Sequence, residues 1–317
     1  MQLQTVVEIE RAPFCIGYSD NIISIGSCFA DNIGNYLKEC LFNIIPNPVG
    51  VMYNPVSVLN TLKMVCSATQ FTTDNLVFSN GLYHSMQHHG SLSHHSAEEC
   101  IKRINYISLD TNRHWQECNL LLITFGTAWI YRDKSSGKVV ANCHKLPADN
   151  FTREMLSADE IANMWIEWLH KVEADKPNIK VIFTVSPIRH WKDGAHGNQL
   201  SKSTLLIAID KIIRNTKNCD YFPAYEIVMD ELRDYRFYGE DMLHPSNQAV
   251  AYIREKFCRH YMDEASLNLM QRAEKHAKSM AHRALHPESE EWQRFIAKRE
   301  RCKEELIKEI KRVRNEG

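Results

Sequence analysis

An excess of charge of one sign is absent from this sequence: 38 Lys+Arg stand against 39 Asp+Glu, a formal net charge of −1. That balance leaves no global electrostatic footprint for nucleic acid or an anionic membrane. Long apolar runs are missing too; none approaches the roughly 18 residues that a membrane-spanning helix needs. Glycine and proline are sparse, at 12 and 10 residues, and follow no period, which excludes a collagen-like chain. No GxGxxG or GxxxxGK[ST] stretch occurs, so a phosphate-cradling nucleotide site is not expected. The ten cysteines form no CxxC pair. The opening residues, Met1 to Glu8, lack a basic segment followed by an apolar one, so no signal peptide is expected. Together these point to reduced thiols and a cytoplasmic location.

What is present reads as a globular chain: 44% of residues are hydrophobic and 24% charged. The composition changes once. From Glu264 onward charged residues are about twice as dense as before, with helical spacing of Leu267, Met270, Ala273, Ala277 and Met280, then Trp292, Phe295, Leu306 and Ile310. His286-Pro287 separates the two runs. Residues 1–263 therefore form the main domain, and 264–317 a charged two-helix extension that packs on it or mediates self-association.

Within the main domain, short apolar runs alternate with amphipathic stretches. Strands are expected at 22–25, 41–45, 119–125, 181–185 and, weakly, 220–222. Helices are expected at about 28–40, 157–175, 201–217 and after Pro245. The third-from-last of these begins with the capping-box spacing Ser157-x-x-Glu160. Continuous apolar strands separated by helices predict a mostly parallel sheet covered on both faces. Ligands of such sheets bind outside the carboxyl ends of the strands. The segments 70–118 and 186–200 are read as loops over that edge.

Two features bear chemistry. The first strand runs into Gly26-Ser27-Cys28-Phe29-Ala30, which places Ser27 on a strand-to-helix turn beside unpaired helix N–H donors. Ser27 is a candidate nucleophile there, and equally a candidate N-cap. Far downstream, Asp241-Met242-Leu243-His244-Pro245 offers a carboxylate that can orient an imidazole. Cys28 is an alternative nucleophile and His190 an alternative base. His84, His88, His89, His94 and His95 are clustered, but they lack HExxH spacing and have no acid or cysteine among them. Cleft-lining or surface roles fit them better than metal binding, and the same holds for His144.

The block Ser24-Ile25-Gly26-Ser27-Cys28-Phe29-Ala30 resembles the signature of the GSCFA family. Three other segments carry the same resemblance: Thr124-Phe125-Gly126-Thr127-Ala128-Trp129, Ser186-Pro187-Ile188-Arg189-His190-Trp191-Lys192-Asp193-Gly194, and Asp241-Met242-Leu243-His244-Pro245-Ser246. That family is similar to the SGNH/GDSL-type hydrolases. The resemblance implies a three-layer α/β/α, flavodoxin-like sandwich and a serine esterase or acyltransferase with Ser27 as nucleophile, His244 as base and Asp241 as its partner. It implies an oxyanion hole formed by the N–H groups of Ser27 and Gly50 with Gly126 and Thr127. Apart from the resemblance, the polar stretch 186–204 follows an apolar strand, and within it Arg189 and His190 are candidates to hold an anionic or hydroxyl-rich substrate or to donate to an oxyanion. Two departures stand out: no asparagine occupies the expected place in the Gly126-Thr127 block, and Gly26 replaces the usual aspartate before the serine. The expected substrate is a small-molecule or carbohydrate acyl ester, an O-acetyl ester in particular, with no cofactor and no metal. The rival reading is a non-catalytic binding protein of the same fold with a degenerate oxyanion hole.

Overall fold

A computed structural model describes residues 5–10, 12–280, 282 and 284–316. The start of the chain, used above to argue against a signal peptide, lies partly outside these residues.

Five parallel strands form the central sheet: β1 (Asn21–Gly26), β2 (Asn43–Pro46), β3 (Leu120–Phe125), β4 (Lys180–Val185) and β5 (Cys219–Tyr221). Their order is β2-β1-β3-β4-β5, that of flavodoxin-like sheets. The helices of twelve residues or more are α1 (Cys28–Glu39), α2 (Pro55–Cys66), α3 (Ala97–Glu117), α4 (Ala158–Asp175), α5 (Gly194–Asn215), α6 (Asn247–Tyr261), α7 (Glu264–Met280) and α8 (Glu290–Glu316).

Side chains of each central strand alternate between two cores, as the period of two requires. Ile23, Ile25, Leu121, Ile123, Phe125, Phe183 and Val185 pack with α2, α4 and α5. Ile22, Leu120, Leu122 and Ile182 pack with α1, α6, α7 and α8. The result is the expected three-layer sandwich. The capping box of α4 forms as its spacing predicts, with Ser157 and Glu160 bonding reciprocally. The C-terminal helices share the second core: Leu269, Met270, Ala273, Leu306 and Ile310 are all buried in it. Arg314 on α8 donates to the carbonyls of Tyr18 and Leu41. No helix among the described residues is long and apolar enough to cross a membrane.

The structure corrects two sequence expectations. Residues 70–118 are mostly not loop, because they hold the hairpin Leu76–Ser79/Leu82–Ser85 and the 21-residue α3. The buried face of α3 includes Ser108 and Thr111 beside Cys100, Ile104 and Trp115, and Ser108 and Asn112 dock it through backbone carbonyls of Thr69, Val65 and Cys66. Such a half-polar stripe hides from apolar periodicity. Helix α5 begins at Gly194, which shortens the loop expected at 186–200. A small antiparallel sheet, Trp129–Asp133 with Val139–Val140 and Phe151–Met155, follows β3 and overhangs its carboxyl end.

Gly26 lies opposite Thr124, and Thr124 opposite Thr184, so the three central strands end level. The strand order reverses between β1 and β3, and the segments after these strands enclose the crevice where such sheets bind ligands.

Candidate active site

Gly26 ends β1 with φ 150°, and a Cβ there would lie 2.1 Å from the Thr124 carbonyl oxygen. No larger residue fits so close to β3, which accounts for the missing aspartate before the serine. Ser27 follows in extended conformation as the N-cap of α1. Its Oγ accepts a 3.3 Å bond from the Phe29 N–H, the one hydrogen bond of that hydroxyl among the described residues. Ser27 is 1% exposed. It nonetheless borders a cavity of about 650 Å³, shared with Cys28, Thr127, Arg189, His190 and His244.

His244 reaches this cavity from the turn before α6. Tyr238 and Pro245 bridge the base of the turn, and the Gly239 N–H donates to the His244 carbonyl at 2.7 Å. Asp241 Oδ1 accepts the N–H groups of Leu243 and His244, at 3.0 and 2.9 Å. Its Oδ2 lies 2.5 Å from His244 Nδ1. The two backbone donors, then the imidazole, hold the Asp241 carboxyl down to about 2. An ionised carboxylate on Nδ1 fixes the proton there and leaves Nε2 as the acceptor. Asp241 itself does not border the cavity; it acts through His244. The serine hydroxyl and His244 are not hydrogen-bonded to each other in this conformation, a common state before substrate binds.

The four expected oxyanion groups are otherwise engaged. The Ser27 N–H donates to the Thr124 carbonyl at 3.2 Å, and the Gly50 N–H to the Asn47 carbonyl at 2.8 Å. Gly50 lies outside the cavity; its φ of 87° and its approach to His89 demand glycine, since a Cβ would meet that of His89 at 2.3 Å. The N–H groups of Gly126 and Thr127 both donate to the Tyr53 carbonyl, at 2.7 and 3.0 Å. Thr127 does border the cavity, but its Oγ1 pairs with Ser201 Oγ and accepts the Trp129 N–H.

The cavity contains an asparagine from a different place. Asn54, 6% exposed, borders it and caps α2, its Oδ1 accepting the Ser57 N–H at 2.9 Å. The cap fixes the amide's orientation. Its Nδ2 has no acceptor among the described residues. Asn54-Pro55 is a readable helix start, N-cap followed by proline, but that pattern says nothing of a cavity.

Helix α5 packs behind the ends of β3 and β4 without bordering the cavity. Lys202 is 0% exposed, and its ammonium donates 2.7 Å bonds to the carbonyls of Gly126 and Ser186, just past β3 and β4. No carboxylate pairs with it among the described residues, and burial pushes its pKa down to about 7. Lys202 continues the buried row Leu205, Ile209 and Ile212, so a lysine in an apolar helical stripe was the available signal. Asn198 accepts the His190 N–H at 2.9 Å. The His190 ring packs edge-on against Tyr53, and burial lowers its pKa to about 4. An imidazole so weakly basic is a poorer proton acceptor than one backed by a carboxylate. Burial also raises the Cys28 thiol, which opposes a thiolate nucleophile.

The histidine-rich segment is mostly structural. His84 bonds Ser93 Oγ and the Ser79 carbonyl, His88 bonds Ser85 Oγ, and His144 stacks on His84 and bonds the Ser85 carbonyl. Only His89 of the five clustered histidines borders the cavity.

The fold and the strand-end serine define an α/β/α protein with its site at the sheet's switch point. Residues 21–257 match the GSCFA family, and the chain belongs to it. No curated protein matches the chain. It is similar to a solved structure described as an acetyl xylan esterase (Est2A) from the rumen bacterium Butyrivibrio proteoclasticus, with 11% identity and a TM-score of 0.38. That likeness covers 84% of this chain and 66% of the other, just under two thirds of its length. At that distance neither activity nor substrate carries over.

Proposed function

We propose that the protein is a serine-dependent ester hydrolase or acyl-transfer enzyme. One observation carries the reading: Ser27 and a carboxylate-oriented His244 border the same cavity at the carboxyl edge of the sheet. In this mechanism Ser27 Oγ attacks the acyl carbonyl while His244 Nε2 takes its proton, and Asp241 stabilises the resulting imidazolium. The tetrahedral intermediate collapses, the C–O bond to the alcohol breaks, and the alcohol leaves with the proton from His244. Water, or a second alcohol, then attacks the acyl-serine with His244 as base, releasing acid or new ester and restoring the Ser27 hydroxyl.

The oxyanion needs a donor that is not already engaged. We assign that role to the Asn54 amide, in place of Gly50 and the Gly126-Thr127 block. Asn54→Asp keeps an oxygen to cap α2 and loses the donor, so turnover should fall about 10²–10³-fold with the melting temperature nearly unchanged. An Asn54→Asp enzyme of normal rate removes Asn54 from the hole.

The test of the whole reading is intact-protein mass spectrometry after a fluorophosphonate, followed by 4-nitrophenyl acetate turnover. Wild type should gain one adduct and Ser27→Ala none, with turnover lost by about 10⁴-fold or more. The engaged backbone donors favour the rival, a binding protein of this fold. Folded wild type that gains no adduct and turns over no ester would establish that rival instead.

A further inference from the structure

The cavity beside Ser27 is lined asymmetrically in charge. Three permanent cations border it, Arg153, Arg189 and Lys192, against one carboxylate, Asp193. That carboxylate is already paired with Arg153, whose guanidinium also lies over the Trp129 ring, 4.1 Å from its centroid. Arg189 and Lys192 have no carboxylate partner among the described residues. Among the described residues the Arg189 guanidinium makes a single hydrogen bond, to Met229 Sδ at 3.3 Å, and Lys192 donates to the Tyr131 hydroxyl at 3.0 Å. Below them the Lys202 ammonium meets two carbonyls and no acid.

A half-buried guanidinium that faces only a thioether has unfilled donors in a planar fork. That fork matches the two oxygens of a carboxylate or phosphate. Water can fill it, but the surrounding excess of positive charge favours an anion over any neutral group. Arg189 also borders a second cavity of about 580 Å³, with Met229, Tyr235 and Tyr238, so it stands where two cavities meet.

We infer that the substrate is an anionic acyl ester, its carboxylate or phosphate held by Arg189 with Lys192 in support. The inference rests on the esterase reading for the word ester, and on the charge of the cavity for the word anionic. The chemistry of recognition is the same whether the anion is a sugar-ring carboxylate or a phosphate. Neutral acetyl esters would be turned over, but less selectively.

Two isosteric probes separate the ideas: 4-acetoxybenzoate, which is anionic, and 4-acetoxybenzamide, which is neutral. Wild type should prefer the benzoate by about 10- to 100-fold in kcat/KM, the range expected for a charge-assisted hydrogen-bonded pair. The preference should shrink with added salt. Arg189→Gln should erase most of the preference and Arg189→Lys should keep part of it. Lys192→Gln should reduce it less. Binding of the same two probes to Ser27→Ala, by calorimetry, repeats the comparison without turnover, so selection is read even if no ester is cleaved. Equal treatment of both probes by the wild type and Ser27→Ala, or a preference that survives Arg189→Gln in folded protein, overturns the anionic inference and leaves the esterase reading standing. Benzoate-selective binding with no fluorophosphonate adduct does the reverse.

Discussion

Ser27 is 1% exposed between a strand and a helix that both belong to the sandwich, whereas the His244 side chain is 55% exposed on a turn held by its own hydrogen bonds. The serine's place is set by long-range structure: the ladder of β1 with β3, the close approach at Gly26, and the cap of α1. The histidine's place is set within a few residues, chiefly by one carboxylate that gathers two backbone N–H groups and the ring. The lesson is a separation of failure modes. Damage to the backbone that places the serine should unfold the protein, and damage to the contacts that place the histidine should silence it while it stays folded.

The largest effect that would sharpen this contrast lies at Gly26. Gly26→Ala drives a methyl into the Thr124 carbonyl and asks alanine for a φ it rarely adopts, so stability should fall by about 3–5 kcal/mol. Denaturant unfolding reads it, and a shift below about 1 kcal/mol would break the comparison. On the other side, Asp241→Asn should lower kcat about 10²–10⁴-fold, since the imidazole loses its orienting charge. Its melting temperature should barely move, because both groups are about half exposed. Because the carboxyl is held near 2, Asp241 stays ionised down to that range and does not set the acid limb of the pH–rate profile. Smallest is the stability cost of Ser27→Ala, about 1 kcal/mol for a lost N-cap, seen by thermal melting in the same variant that abolishes the adduct.

The sheet was legible because its strands are continuous apolar runs, and the level strand ends follow once those runs are placed side by side. Ser27, Asp241 and His244 were legible as motifs, though bringing Ser27 and His244 to one cavity needed tertiary structure. In the small sheet over the site, the hairpin through Gly137 was legible from its turn, but the third strand, Phe151–Met155, was not, because four of its five residues are exposed. That the expected oxyanion donors already have partners was hidden for a different reason. Sequence names the residues near a crevice, but it cannot say which N–H groups already have carbonyls opposite them. Asn54 was passed over because it has an ordinary local explanation, a helix cap, and Lys202, though it belongs to the polar stretch after β4, had no role assigned because it sits in a long amphipathic helix.

A parallel sheet ends, like a helix, in carbonyls that run out of donors, and the oxygens of Gly126 and Ser186 are two such ends. Lys202 serves as a cap for the sheet as basic side chains do for helix C-termini. Left bare, those carbonyl dipoles would present partial negative charge to the floor of the cleft. Capped by an ammonium, those oxygens have their negative ends covered from behind, and under the proposed reading that edge of the sheet would tolerate a developing oxyanion instead of repelling it.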